Sequence, residues 1–149
     1  MSRLRPSALV VVLLLGLPLG ACGRKGPPRP PQFVIPRSPE PLVVEENPKG
    51  VRITWKRPRE YVDGSPLDDL DVFDIQRACE PDTDFRTIGT VPIIDRERFR
   101  KERSFAVIDL DVPRDRPCRY RVFAVTADGY RSDAAESPSI LLGKSATPR

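Results

Sequence analysis

The sequence predicts an all-β sandwich, and three observations carry that expectation. Eighteen prolines in 149 residues do not suit a bundle of helices, because a proline inside a helix costs about 3 kcal/mol. Beyond residue 41 the chain breaks into short segments of alternating apolar and polar residues, separated by Gly, Pro, Asn and Asp. That is the pattern of half-buried strands joined by turns. The length suits one modest domain with extensions rather than two domains. Lys and Arg number 25 against 21 Asp and Glu, a net charge of +4, and so mild an excess gives no nucleic-acid footprint. The chain has no histidine, which removes the commonest general base and the commonest metal ligand together. Neither an enzyme nor a bound metal or cofactor is expected.

Arg3 and Arg5 precede the apolar run Ala8–Leu19, a charged region followed by a hydrophobic one, as in secretory signals. The run falls short of the ~20 apolar residues that cross a bilayer. It ends in Leu19-Gly20-Ala21-Cys22, which resembles the bacterial lipobox: an aliphatic residue and two small ones before a cysteine. The resemblance implies a signal peptide over residues 1–21, diacylglycerol on the Cys22 sulfur, cleavage before Cys22 and acylation of the new amine. Each buried methylene contributes about 0.8 kcal/mol, so several chains anchor stably where one does not. Gly23 stands where enterobacterial lipoproteins retained in the inner membrane carry aspartate, which implies the outer membrane, with the periplasmic side favoured over the surface.

Residues 22–38 read as the lipidated cysteine and a tether. From Gly23 to Pro41 there are seven prolines and four basic residues, an extended spacer at ~3.1 Å per residue. Arg24, Lys25 and Arg29 lie near the headgroups, where each adds about 1 kcal/mol on an anionic surface. The segment Cys22-Gly23-Arg24-Lys25-Gly26-Pro27 also resembles the C-G-x-K-G-P opening of small bacterial lipoproteins that assist assembly of the lipopolysaccharide-export translocon. Pro28 stands where that family commonly has leucine. A generic lipoprotein linker accounts for the same residues equally well. The apolar triplet Phe33-Val34-Ile35 interrupts the tether and is expected to dock on the domain.

The domain is expected over residues 39–143, with a disordered tail at 144–149. Leu42–Glu45 reads as a first strand and Asn47-Pro48-Lys49-Gly50 as a turn. Val51–Lys56 alternates strictly and places Val51, Ile53 and Trp55 on one buried face. A loop containing Asp63-Gly64 leads to a third strand, Val72–Ala78, with Phe73 and Ile75 inward. Phe85–Val91 is the fourth. In the fifth, Ser104–Leu110, the residues Ala106, Ile108 and Leu110 are expected inward, leaving Phe105 and Val107 on the outer face as a contact for the tether triplet or, alternatively, for a partner protein. Arg119–Thr126 is the sixth, with Tyr120, Val122 and Ala124 inward, and Ser137–Leu142 closes the sheet.

These anchors together carry a resemblance. Trp55 followed by Pro58, the strand Phe73-Asp74-Ile75-Gln76-Arg77, Leu110, and Tyr120-Arg121-Val122-Phe123-Ala124-Val125 with Gly129 shortly after resemble a fibronectin type III domain over about residues 39 to 143. The resemblance implies a seven-stranded Greek-key sandwich with Trp55, Phe73, Leu110 and Tyr120 as core anchors. It also implies that Tyr120 forms a tyrosine corner, its hydroxyl bonded to the chain just upstream. Phe73 stands where that family usually has tyrosine, and the connection from Val91 to Ser104 is longer and more charged than usual. In this topology the third and sixth strands are antiparallel neighbours, so the end of one, Cys79, lies beside the start of the other, Cys118. With Cys22 assigned to lipid, a Cys79–Cys118 disulfide is expected in an oxidising compartment.

The remaining candidates for chemistry are weak. Asp68, Asp69, Asp71 and Asp74 form the densest acidic cluster, but it lacks the glycine and terminal glutamate of a calcium loop and reads as a solvated loop entering a strand. The run Asp95–Arg103 has a positive excess; guanidinium groups in it can meet lipid or lipopolysaccharide phosphate, although a solvated mixed-sign loop is the favoured reading. Ser104, Ser132 and Ser137 have no histidine to activate them. The expectation is therefore a membrane-anchored, non-catalytic binding or structural module that contacts an envelope protein or a glycan. Fold alone does not name that ligand. The alternative is an assembly cofactor of the lipopolysaccharide-export translocon, acting through the lipidated end.

Overall fold

The computed structural model describes residues 34–94 and 104–143. The signal peptide, Cys22, the tether as far as Phe33, the charge run 95–103 and the tail 144–149 fall outside the described residues. The strands are β1 (Val43–Asn47), β2 (Gly50–Lys56), β3 (Leu70–Cys79), β4 (Arg86–Pro92), β5 (Ser104–Asp109), β6 (Cys118–Thr126) and β7 (Ala135–Glu136). They form two antiparallel sheets, a three-stranded one in the order β1-β2-β5 and a four-stranded one in the order β4-β3-β6-β7.

The layers close on the residues whose alternation is one-sided. Val51, Ile53 and Trp55 of β2, Phe73 of β3, and Cys118, Tyr120, Val122 and Ala124 of β6 are fully buried. Each large side chain of this kind stabilises by about 1.5 to 3 kcal/mol. Trp55 meets Phe73 edge-on, with ring centroids 5.4 Å apart, and Phe105 of β5 completes the cluster at 6.1 Å from Trp55 and 5.0 Å from Phe73. Both sheets therefore share one aromatic contact.

Phe105 in that cluster corrects the expected face of β5. The register Ile53↔Val107 and Trp55↔Phe105 turns Phe105 and Val107 inward, since residues directly opposite on paired strands share a face. Ile108 is 36% exposed, and Leu110, expected as a core anchor, is 64% exposed. The segment is apolar on both faces, so alternation in the sequence could not choose between them, and a one-residue shift exchanges the faces completely. Pairing with β2 makes the choice. Gly50 permits the approach of the two strands, because a Cβ there would lie 1.9 Å from the carbonyl oxygen of Asp109.

Two further elements differ from expectation. The last strand is Ala135–Glu136, earlier and shorter than 137–142; within the expected span β6 is met by Ser137 at Tyr120 and by the bridge Cys118↔Ile140. The packed body also begins upstream of residue 39. The Val62 N–H donates to the Ile35 carbonyl at 2.9 Å, the Arg37 N–H donates to Glu60 at 3.0 Å, Val34 packs against the core, and Pro36 and Pro39 are fully buried. The end of the tether docks against residues 60–62, not on an outer face of β5.

Candidate functional site

The expected anchors first explain what is structural. Cys79 and Cys118 are directly opposite on β3 and β6 and are joined by a disulfide, with Cα atoms 4.0 Å apart. Tyr120 is buried as expected, but its hydroxyl bonds differently from the tyrosine-corner expectation. It donates to Asp109 Oδ2 at 2.9 Å, a side chain eleven residues upstream. Arg77 Nη1 donates to the same oxygen at 2.6 Å, and the Asp111 N–H donates to Oδ1 at 3.2 Å. The Asp109 side chain is 5% exposed and that of Arg77 21%. A carboxylate from one sheet is thus held by two residues of the other, and burial of the charge is met by an opposite charge and hydrogen bonds, as it must be. Burial above all, then the Asp109 charge and hydrogen bond, push the Tyr120 phenol well above the ordinary tyrosine value, with Arg77 opposing.

Two of the candidate serines are also structural. Ser132 and Ser137 stand where β7 is too short to pair with β6. The Ser137 N–H donates to the Tyr120 carbonyl, and the Tyr120 N–H donates to Ser137 Oγ at 3.0 Å. Ser132 repeats the arrangement on Ala124 at 2.9 Å. Each hydroxyl accepts the bond that a strand carbonyl would have accepted, which satisfies a buried donor.

The acidic cluster does not act as one group. Asp69 accepts the Tyr61 hydroxyl at 2.6 Å, whereas Asp74 faces the outer side of the four-stranded sheet, where Arg131 Nη2 donates to it at 2.5 Å. That outer face holds an ordered array of arginine, carboxylate and aromatic side chains. Arg119 and Arg121, on alternate positions of β6, both reach Glu136 of β7, at 3.1 Å and 2.9 Å. Both guanidiniums lie over the Phe85 ring, Arg121 at 3.9 Å and Arg119 at 5.6 Å from its centroid. Two residues along β6, Phe123 carries Arg131 at 3.6 Å over its ring. The arginines remain 36 to 43% exposed, so they are ordered yet open to a ligand. None of Arg119, Arg121, Arg131, Phe85, Phe123 and Glu136 stands out as a site in the sequence. The signal was there, in the outward parity of Arg119-x-Arg121-x-Phe123, but the partners of these residues lie on other strands.

Solved structures agree with this architecture. The twitchin kinase region from C. elegans (Fn31-NL-kin-CRD-Ig26) superposes with a TM-score of 0.52 at 13% identity over 72% of the chain, and titin kinase with its flanking domains with 0.50 at 17% identity over 74%. The fold is a fibronectin type III-like sandwich. The third fibronectin III domain of human KIAA0343 protein is also similar, at 13% identity and TM-score 0.45, over 85% of this chain and 98% of that one. The fibronectin type III-like chain spans 17% and 18% of the twitchin and titin structures, and at these identities the likeness is one of fold. No protein-family model and no curated protein matches the sequence.

Proposed function

We propose that the chain is a bacterial envelope lipoprotein in which a fibronectin type III-like sandwich acts as a non-catalytic binding module. Lipid on Cys22 and the proline-rich spacer tether it to the outer membrane, facing the periplasm. The observation that carries the binding role is the outer face of the four-stranded sheet. There Arg119, Arg121 and Arg131 are held on Phe85 and Phe123 while staying partly exposed. Arginine and aromatic side chains ordered in advance have the chemistry of interface hot spots. Leu19-Gly20-Ala21-Cys22 supports the anchor, with no cofactor beyond the covalent lipid.

Mass spectrometry and fractionation test the anchor. The parent should carry acyl mass on Cys22 and sediment with membranes, and Cys22→Ser should lose both. A chain that keeps residues 1–21, carries no acyl group and is soluble would exclude this reading. The segment Cys22–Pro27 favours a second reading, in which the lipidated end assists the lipopolysaccharide-export translocon and the sandwich is secondary. Deleting residues 34–149 separates the two: if the short lipidated peptide complements a null strain, the sandwich is not the working part.

A further inference from the structure

We infer that the Arg119–Arg121–Phe123 row on β6 is a docking track for an extended acidic segment of a partner protein. The inference rests on the binding-module reading and names the class of partner. Residues 34–143 carry 18 Lys and Arg against 21 Asp and Glu, a mild acidic excess. On the outer face of the four-stranded sheet the balance reverses, with three guanidiniums around two carboxylates, Glu136 and Asp74. That reversal is a local charge complement for an acidic ligand.

The spacing selects an extended chain. Arg119 and Arg121 are two residues apart on one strand, about 6.8 Å, and Phe123 with its overlying Arg131 comes two residues further on. An extended peptide places its own alternate side chains at the same repeat. Acidic residues at every second position would meet Arg119, Arg121 and Arg131 in turn. Stacking on Phe85 and Phe123 holds the guanidiniums in place, which reduces the side-chain entropy lost on binding. Among the described residues Arg119 donates to Glu136 through Nη1 alone, leaving its other donors for a bidentate carboxylate contact. Glu136 is the internal competitor, a carboxylate already on the track at 35% exposure.

The test uses the full-length Cys22→Ser chain, so that peptide binding is read independently of lipidation, and a short peptide of alternating Glu and Thr as probe. Calorimetric titration should show saturable binding that weakens as salt rises. An Arg119→Gln/Arg121→Gln variant should bind at least about tenfold more weakly. Phe85→Leu, which keeps every charge, should weaken binding by a smaller factor, and Glu136→Gln should tighten it. Thermal melts show whether each variant is folded, and Glu136→Gln keeps the test decisive if the double variant is not. The inference is overturned if the parent does not bind the peptide or binds a Lys-Thr peptide equally well. It is equally overturned if Glu136→Gln weakens binding, or if phosphatidylglycerol vesicles or inorganic phosphate displace the peptide through the same arginines. If the acyl group proves absent while the peptide binds, the anchoring reading fails and the track stands. If the acyl group is present and the peptide does not bind, only the track fails.

Discussion

Tyr120, Asp109 and Arg77 make the two sheets interdependent through one carboxylate, and each residue of the three has its own consequence. Removing the hydroxyl in Tyr120→Phe breaks a hydrogen bond to a charged group, which costs about 1.5 kcal/mol and leaves Asp109 with Arg77. The pH dependence is more diagnostic. The phenol is raised above its ordinary value in the folded state, so above about pH 10 the folded chain holds a proton that the unfolded chain releases. Its stabilising contribution is therefore full below that pH and declines as pH rises into the alkaline range. Denaturation curves between about pH 10 and 12 should fall more steeply for the parent than for Tyr120→Phe; parallel curves would mean that the phenol is not held neutral by its burial and the neighbouring Asp109 charge. Arg77→Leu should be worse at neutral pH, about 3 to 5 kcal/mol, because it strands a buried carboxylate. Urea midpoints of the two variants give the ranking directly.

At the level of the strand, β5 is the element whose faces the sequence left undecided. Its inward residues, Phe105 and Val107, pack against the core, whereas Leu110 is 64% exposed. Phe105→Ala should therefore cost about 3 kcal/mol, and Leu110→Ala should stay within about 0.5 kcal/mol. Equal losses for both in chemical denaturation would contradict the β2–β5 register. The Cys79–Cys118 bridge ties β3 to β6 across a sequence separation of 39. Loop-closure entropy makes it worth about 4 kcal/mol. A Cys79→Ala/Cys118→Ala variant should show that loss in its urea midpoint and the same sheet pairing by amide exchange, with the terminal pair of β3 and β6 opening first. β7 has only Ala135 and Glu136 in the ladder, and it holds its place because Ser132 and Ser137 bond β6 on either side.

On the scale of the whole molecule, charge is partitioned. The body carries an acidic excess while Arg24, Lys25 and Arg29 make the tether basic. Under the proposed anchoring, the tether is drawn to anionic headgroups and the body is held away from them. Raising salt should weaken that attraction without releasing the lipid, so the Cys22-acylated chain should stay in the membrane fraction at high salt. Recovery in the soluble fraction under those conditions would point to purely electrostatic attachment. The sandwich enters the same picture as a rigid carrier, with its described chain beginning against Tyr61 and Val62 and the arginine face on the four-stranded sheet.

By itself the sequence determined the strands whose alternation is one-sided. In β2 every apolar residue falls on one face, and in β3 and β6 the heavier apolar set alternates with the charges of Asp74, Arg119 and Arg121, so burying Val51, Ile53, Trp55, Phe73, Tyr120 and Val122 sets their orientation, and the fold the sequence resembles then puts Cys79 beside Cys118. The tertiary structure decided what depends on pairs distant in the chain. It chose the inward face of β5 by pairing it with β2, and it replaced the expected tyrosine-corner contact with Asp109. It also gathered Arg131 to Asp74 across 57 residues. Local periodicity records which residues seek burial. Which polar groups meet once burial is complete is set by strand order and register, and these emerge only when the two sheets close on each other.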